Sequence, residues 1–119
     1  MFQYEAKMLR VVDGDTVWLD IDLGFRISLQ VDVRLAHINA PERVNFTLQG
    51  LQDHAMNYIQ QCLPPGATCV VEIVKPDKYA RWLGTLYYLK NSTDRMAILA
   101  AGQNLNDELV RQGFAKRYL

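Results

Sequence analysis

The sequence lacks the features that mark secreted and membrane-bound proteins. No segment has the roughly 20 consecutive apolar residues that a membrane-spanning helix needs. The first ten residues carry scattered charges in place of the apolar run and small-residue cleavage site of a secretory signal. Repeats, linkers and low-complexity tracts are missing too. We therefore expect a cytoplasmic protein with no membrane partner.

Cysteine is scarce, and its two thiols are not expected to pair. Cys62 and Cys69 flank Pro64–Pro65–Gly66, and a disulfide would need a turn there that brings their Cα atoms to about 5 to 6 Å. Disulfides are rare in reducing compartments. We expect both cysteines to be free.

An excess of positive charge is also missing. Thirteen basic residues balance thirteen acidic ones, so the formal net charge is zero. Because non-specific binding of nucleic acid depends mainly on basic side chains that neutralise phosphates, such binding needs a local patch. The candidates are Lys75, Lys78 and Arg81, with Lys116 and Arg117 as additions. The alternative is an ordinary solvated surface.

What the chain does have is enough apolar material for one core. Half of its 119 residues are hydrophobic, which suffices for a single domain over residues 1–119. Apolar and polar residues alternate at Thr16–Asp22 and along Phe25–Ile38, which predicts two strands joined by a turn at Gly24. The polar face of the second strand should carry Arg34. Its apolar face should carry Ile27, Leu29, Val31, Val33 and Leu35.

Farther along, the apolar period changes to that of a helix. Apolar residues recur at helical spacing from Thr47, the predicted N-cap, to Cys62, and Pro64–Pro65–Gly66 ends the helix. The remaining predicted elements are strands at Thr68–Val74 and Trp82–Leu89 and short helices near Asp94–Ala101 and Asn106–Gln112.

This order of elements predicts an α+β, mainly β fold. Its architecture would be a five-stranded OB-fold barrel with two or three short helices. An open α+β sheet stays an alternative, because periodicity does not show whether a sheet closes.

Several polar residues suit the hydrolysis of a phosphodiester bond. That reaction needs an activated water, positive charge on the phosphoryl oxygens and usually a metal ion. Asp15, Arg34 and Glu42 have these chemical types, but each also has a structural interpretation. Asp15 lies in an ordinary turn sequence, Arg34 could form a salt bridge with Asp32, and Glu42 could be a plain loop residue.

The order of the motifs resembles the staphylococcal nuclease (thermonuclease) family over most of the chain. The matching segments are Val11–Val17, Val33–Leu35, Asn39–Glu42, Asp77–Arg81 and Asn106–Lys116. The resemblance implies an OB-fold barrel and a calcium-dependent endonuclease of DNA and RNA, which leaves a 3′-phosphate and a 5′-hydroxyl.

The resemblance also implies roles for single residues. Asp15 matches a carboxylate ligand of the metal, and Glu42 matches the residue that orients or deprotonates the attacking water. Arg34 and Arg81 match the pair that grips the phosphate, and a guanidinium suits this role because its planar fork binds two oxygens. The positions that contact the substrate's terminal phosphate are matched by Lys78 and Tyr79.

The implied metal site departs from the family at Asn39, where the family has a calcium-ligating aspartate. An amide oxygen can coordinate a hard cation but brings no charge, so we expect weaker metal binding. Ala40 matters less, because that position contributes its backbone carbonyl. The implied ligands are Asp15, Asn39 and Ala40. The ion could be Ca²⁺, Mg²⁺ or Mn²⁺, the neighbouring Asp13 could compensate, or the site could be idle.

Three functions fit these observations. The first is a metal-dependent endonuclease that hydrolyses phosphodiester bonds of DNA and/or RNA, as a monomer or a weak homo-oligomer. The second is a non-catalytic module of the same fold that binds nucleic acid or protein. The third is a structural or assembly role in which the barrel is only a scaffold. Asn39 and the zero net charge favour the second.

Overall fold

Strands dominate the described part of the chain, which is residues 2–40, 46–76 and 82–117 of a computed structural model. In chain order the elements are β1 (Phe2–Asp13), β2 (Thr16–Gly24), β3 (Ile27–Leu35), β4 (Ile38–Asn39), α1 (Phe46–Cys62), β5 (Thr68–Pro76), β6 (Trp82–Tyr88), α2 (Arg95–Ala101), β7 (Gln103–Asn104), α3 (Leu105–Arg111) and β8 (Lys116–Arg117).

Five of these strands close into a barrel. They lie in the order β3-β2-β1-β5-β6, antiparallel throughout, and β3 then pairs with β6 in parallel. The short strand β7 extends the sheet beyond β6, and β4 pairs separately with β8. The prediction of an α+β, mainly β fold with a five-stranded OB-type barrel is confirmed, and the open sheet is wrong because β3 and β6 pair.

Alternation of side chains along the strands builds the barrel core. On β2, Val17, Leu19 and Ile21 are buried, whereas the intervening Trp18 and Asp20 are half-buried. On β1, Ala6 and Met8 are buried in the same way. Successive residues of a strand point to opposite faces, so this period of two places one face of each strand in the core.

The seam between β3 and β6 requires a glycine. A Cβ atom on Gly84 would lie 2.9 Å from Val71 Cγ2 and 3.0 Å from Val33 Cγ1. The first contact is closer than Cβ atoms come to other atoms and the second is unusually tight, so the lack of a side chain on Gly84 allows the strands to approach closely at this point. This close approach places Arg34 on β3 level with Leu83 on β6.

The structure corrects the predicted strand Phe25–Ile38 at both ends. Phe25 and Arg26 form the two-residue loop of the β2–β3 hairpin, with φ of 54° and 64°. Gly24, the predicted turn residue, is the last residue of β2 and also has a positive φ. At the other end β3 stops at Leu35, because His37 has φ of 63° and redirects the chain into β4.

The predicted apolar face of β3 is buried only at its C-terminal end. Val33 and Leu35 are fully buried, but Ile27 and Leu29 are 57% and 43% exposed. The reason is that the first half of β3 pairs with β2 and with no other described strand, because its pairing with β6 begins only at Val33. This half of the hairpin projects past the closed part of the barrel.

The helices cover one side of the barrel. Helix α1 begins at Phe46, so Thr47 lies inside the helix and its predicted role as N-cap is wrong. Its buried residues Ala55 and Ile59 join the barrel core, and Leu63, just past its end, does so too.

The two tail helices lie close to their predicted positions. Asp94 caps α2 by accepting a hydrogen bond from the Met96 amide. Asn104 caps α3 in the same way through the Asp107 amide, so this helix begins at Leu105, one residue before the prediction. Gly113, with φ of 82°, follows the end of α3 as predicted.

The two thiols and the helix lengths complete the description of the fold. Cys62 and Cys69 are free, as expected. None of the helices in the described ranges is long and apolar enough to cross a membrane.

Candidate active site at the β1–β2 turn

The turn between β1 and β2 is held by its own aspartates and by the end of β3. The amide of Asp15 donates a hydrogen bond to Asp13 Oδ1 at 3.0 Å, so Asp13 does stabilise the turn. The carbonyl of Asp15 accepts a hydrogen bond from the Leu35 amide at 2.8 Å. The backbone of Asp15 is therefore fixed relative to β3, and its side chain is left to make other contacts.

Arg34 is the main partner of that side chain. Its Nη1 lies 3.4 Å from Asp15 Oδ2 and donates a hydrogen bond to the Leu35 carbonyl at 3.1 Å. Its Nη2 donates to Asn39 Oδ1. Only 8% of Arg34 is exposed. The interpretation of Arg34 as a salt bridge with Asp32 is wrong, because the register that sets Thr16 opposite Arg34 brings Asp15 to the guanidinium.

The chain after His37 completes this cluster. Strand β4 carries Asn39 to the Arg34 guanidinium, and the Ala40 amide donates a hydrogen bond to Asp15 Oδ2 at 3.0 Å. The structure thus brings together four of the predicted site residues from the β1–β2 turn, from strands β3 and β4 and from the residue that follows β4. These four residues are Asp15, Arg34, Asn39 and Ala40.

Burial raises the pKa of Asp15 to about 6, and a hydrogen bond shared with Asp13 adds to this rise. The Arg34 guanidinium and the Ala40 amide act in the opposite direction, but they offset only part of the effect. Desolvation disfavours the charged form of a carboxyl group, and here it exceeds the attraction of one guanidinium. An additional cation beside Asp15 would favour ionisation of the carboxyl.

The described donors suit a hard cation by type but supply little charge. Thr16 Oγ1 donates to Asp15 Oδ1 at 3.3 Å, and Ala40 donates to Oδ2. Each carboxylate oxygen can accept more than one bond, so both oxygens retain capacity for a metal. Asn39 Oδ1, in contrast, already accepts from Arg34. Among the described residues no group of three His, Cys, Asp or Glu side chains could hold a metal.

The other predicted site residues lie outside the described residues. These are Glu42, Lys78, Tyr79 and Arg81. Their roles as water-orienting, phosphate-gripping and substrate-contacting residues stay predictions from the sequence.

Of the predicted basic patch, Lys116 reaches the described site. Strand β8 pairs with β4 so that Lys116 lies opposite Asn39, and both residues are exposed. Side chains directly opposite in an antiparallel pair are close neighbours. Arg117 instead pairs with Asp107 at 2.9 Å. Lys116 is therefore the described member of the patch that adds positive charge beside the site.

Asn106 supports the site from behind, although nothing in the sequence pattern gives it this role. It is 3% exposed, and its Nδ2 donates hydrogen bonds to the carbonyls of Ala36 and Gly84 at 3.0 and 3.1 Å. Its Oδ1 accepts from the Leu86 amide at 3.2 Å. Asn106 thus joins α3 to the chain just after Arg34 and to β6. The sequence feature that could have indicated this role is a side-chain amide directly after Leu105, where a helix meets the core.

Comparisons with known proteins identify the family of this chain. Residues 32–119 match the family model described as Staphylococcal nuclease homologue, and this range contains Arg34 and Asn39. Endonuclease YhcR of Bacillus subtilis (strain 168) is 29% identical over 125 residues, which cover 98% of this chain and therefore reach Asp15. The chain spans only 9% of the length of that relative. Because the family model matches well over half of the chain, this protein belongs to the staphylococcal nuclease homologue family.

Proposed function

We propose that this protein is a metal-dependent endonuclease that hydrolyses phosphodiester bonds of DNA, RNA or both. The observation that carries the proposal is the buried cluster in which the Arg34 guanidinium lies 3.4 Å from the Asp15 carboxylate. A carboxylate that can hold a cation and a guanidinium that can hold a phosphate are thereby adjacent. Membership of a nuclease family and similarity to an endonuclease support the proposal.

In this proposal Asp15, with Asn39 and the Ala40 carbonyl, holds a divalent cation. The ion is Ca²⁺ by resemblance, with Mg²⁺ or Mn²⁺ as alternatives. When bound, it would supply positive charge to a phosphate oxygen and help to organise the attacking water. The chain's oxygen donors suit such a cation, but only Asp15 among them is charged, so binding should be weak.

The remaining steps belong to side chains of the chain itself. Arg34 and Arg81 bind the phosphoryl oxygens and stabilise the charge that develops on them. Glu42 orients or deprotonates the water. Lys78 and Tyr79 contact the terminal phosphate. Lys116, opposite Asn39 on the neighbouring strand, attracts the polyanionic substrate to the site.

A specific contact favours a second function, a non-catalytic module that binds nucleic acid. The amide oxygen of Asn39 already accepts a hydrogen bond from Arg34. This contact takes one ligand from the cation site, while the basic groups remain. Such a module would bind the phosphates of a nucleic acid through Arg34 and Lys116 without cleaving its phosphodiester bonds.

The test is incubation of the protein with plasmid and single-stranded DNA in calcium, magnesium, manganese or EDTA. We expect cleavage that depends on a divalent cation and is lost in Glu42→Ala and Arg81→Ala. Arg34→Lys retains the charge but not the planar fork, and should lower the rate at least about 100-fold. Arg111→Lys, at an exposed position of α3, is the matched control and should be unchanged.

The outcomes separate the two functions. Binding without cleavage in every metal, weakened by salt, would establish the binding module. Cleavage that survives in Glu42→Ala and Arg81→Ala would show that the assigned residues are wrong. The cytoplasmic location stays a prediction.

A further inference from the structure

The first half of β3 has a backbone edge without a partner strand in the described ranges. On one side, Ile27–Arg34 pair with β2. On the other side, pairing with β6 begins only at Val33. The backbone of Ile27–Asp32 on the side away from β2 is called the outer edge of β3. An exposed edge of this kind is a template for pairing with another strand.

The hydrogen bonds at the end of β3 show which residues point to the outer edge. The Leu35 amide donates to Asp15, on the β2 side, and the Ala36 amide donates to Gly84, on the β6 side. Because residues of a strand alternate in direction, the amides of Ser28, Gln30 and Asp32 point to the outer edge. An added antiparallel strand must therefore bond to these three residues.

Two copies of the outer edge fit each other in one register. A two-fold pairing centred on Leu29 sets Ser28 opposite Gln30, which satisfies the direction of their amides. It also sets Ile27 opposite Val31 and Leu29 opposite itself, so apolar side chains meet on one face. Polar residues therefore face polar residues, and apolar residues face apolar residues, from Ile27 to Val31.

Charge favours this register over the one centred on Gln30. Pairing centred on Leu29 brings the exposed Arg26 level with Asp32 of the second copy, and symmetry repeats this contact. A shift by one residue to a centre at Gln30 would set Arg26 opposite Arg34, where like charges repel. Within the described part of the chain, neither Arg26 nor Asp32 has an ion-pair partner.

The apolar surface beside the edge points to the same contact. Leu29 and Val31 line an open apolar cavity of about 280 Å³, together with Trp82 at the start of β6. Phe25, at the hairpin tip, is 99% exposed and has a positive φ, which an aromatic residue rarely adopts. In the register centred on Leu29, Phe25 comes level with Val33 of the second copy, the residue paired with Trp82.

We propose that two copies of this chain associate through the outer edges of their β3 strands, antiparallel and centred on Leu29. The partner is a second copy because the edge is complementary to itself in hydrogen-bond direction, apolar face and charge. The residues that pair between the copies end at Asp32, and the backbone of Arg34 beyond them is already paired with β6, so the association does not use the candidate active site of either copy. This interaction is independent of the proposed catalysis.

Sedimentation velocity of the whole chain tests the proposal, at concentrations from about 1 to about 300 µM, which bracket the affinity of a small interface. We expect a reversible monomer–dimer equilibrium. Leu29→Lys places two like charges at the symmetry axis and should abolish the dimer. Met96→Lys is the matched control, because Met96 is 71% exposed on α2, and it should leave the equilibrium unchanged.

A charge-reversal cycle tests the register. Arg26→Glu and Asp32→Arg each create two like-charge contacts and should raise the dissociation constant by about tenfold or more. The double variant restores opposite charges and should return the constant to within about threefold of the parent. A chain that stays monomeric throughout overturns the proposal, as does a dimer unaffected by Leu29→Lys. Failure of the double variant to recover overturns the register, and circular dichroism checks that each variant is folded.

Discussion

The raised pKa of Asp15 predicts that the proposed metal ligand destabilises the metal-free fold. Its pKa rises from 3.8 to about 6, mainly because the side chain is buried. The folded protein therefore holds this proton more tightly than the unfolded chain does. The stability that protonation confers is fully present below about pH 4 and is lost as the pH rises through about 6.

The magnitude follows from the same numbers. At ~1.36 kcal/mol for each pH unit, the difference between 3.8 and about 6 corresponds to about 3 kcal/mol. The side chain is only 16% exposed, so solvent screening removes little of this energy. Asp15→Asn resembles the protonated carboxyl, because its amide oxygen can still accept the Ala40 hydrogen bond. At pH 8 without metal, it should raise the free energy of unfolding by about 2 to 3 kcal/mol.

Urea unfolding followed by tryptophan fluorescence measures this effect at pH 8 and near pH 4. We expect a clear gain for Asp15→Asn at pH 8 and almost none near pH 4. Asp22→Asn is the matched control, because Asp22 is exposed and the amide oxygen of the new side chain could still accept the hydrogen bond from the Gly24 amide. Its free energy of unfolding should stay within about 0.5 kcal/mol of that of the parent. A loss of stability for Asp15→Asn at pH 8 would refute the reasoning, since the Arg34 contact would then outweigh burial.

Three further predictions concern residues around Asp15. Asn39→Asp adds a negative charge to the cation site and should lower the dissociation constant for calcium by about tenfold in calorimetric titration. Equal calcium affinities of the variant and the parent would contradict this prediction. Asn106→Ala removes the side-chain partner of the Ala36 carbonyl and of the Leu86 amide, whereas the Gly84 carbonyl keeps its bond from the Ala36 amide. This variant should lower the free energy of unfolding by about 2 to 4 kcal/mol in urea. Lys116→Ala should reduce the salt dependence of single-stranded DNA binding by about one phosphate contact, while Lys90→Ala, at an exposed position, should leave it unchanged.

Local patterns predict the parts of the fold that depend on local chemistry. The alternation at Thr16–Asp22 lies within β2, and Asp94 and Gly113 mark helix ends as their residue types suggest. The end of β3 is different, because it depends on His37 adopting a left-handed conformation. Histidine has no strong preference for that conformation, so the pattern continues past the true end of the strand.

The composition of the candidate site follows from motifs, but its contacts follow from strand register. Asp15 and Arg34 are each recognisable as site residues, yet their salt bridge exists because Thr16 pairs with Arg34 across the hairpin. Asn106 begins one of the matching segments, but its supporting role is recognised only from the three chain segments that meet around it. Long-range pairing of this kind leaves no periodic trace in the sequence.

The two hydrogen bonds that Asp15 accepts from backbone amides give the site built-in reporters. The Leu35 amide donates a hydrogen bond to the Asp15 carbonyl, and the Ala40 amide donates one to the Asp15 carboxylate. Exchange of the first proton with solvent requires the end of β3 to separate from the β1–β2 turn, whereas exchange of the second requires only that the carboxylate release the Ala40 amide. A cation that captures the carboxylate should therefore change the exchange rate at Ala40 and leave that at Leu35 nearly constant. The ratio of the two amide exchange rates would therefore report whether a cation occupies the site, in the absence of substrate.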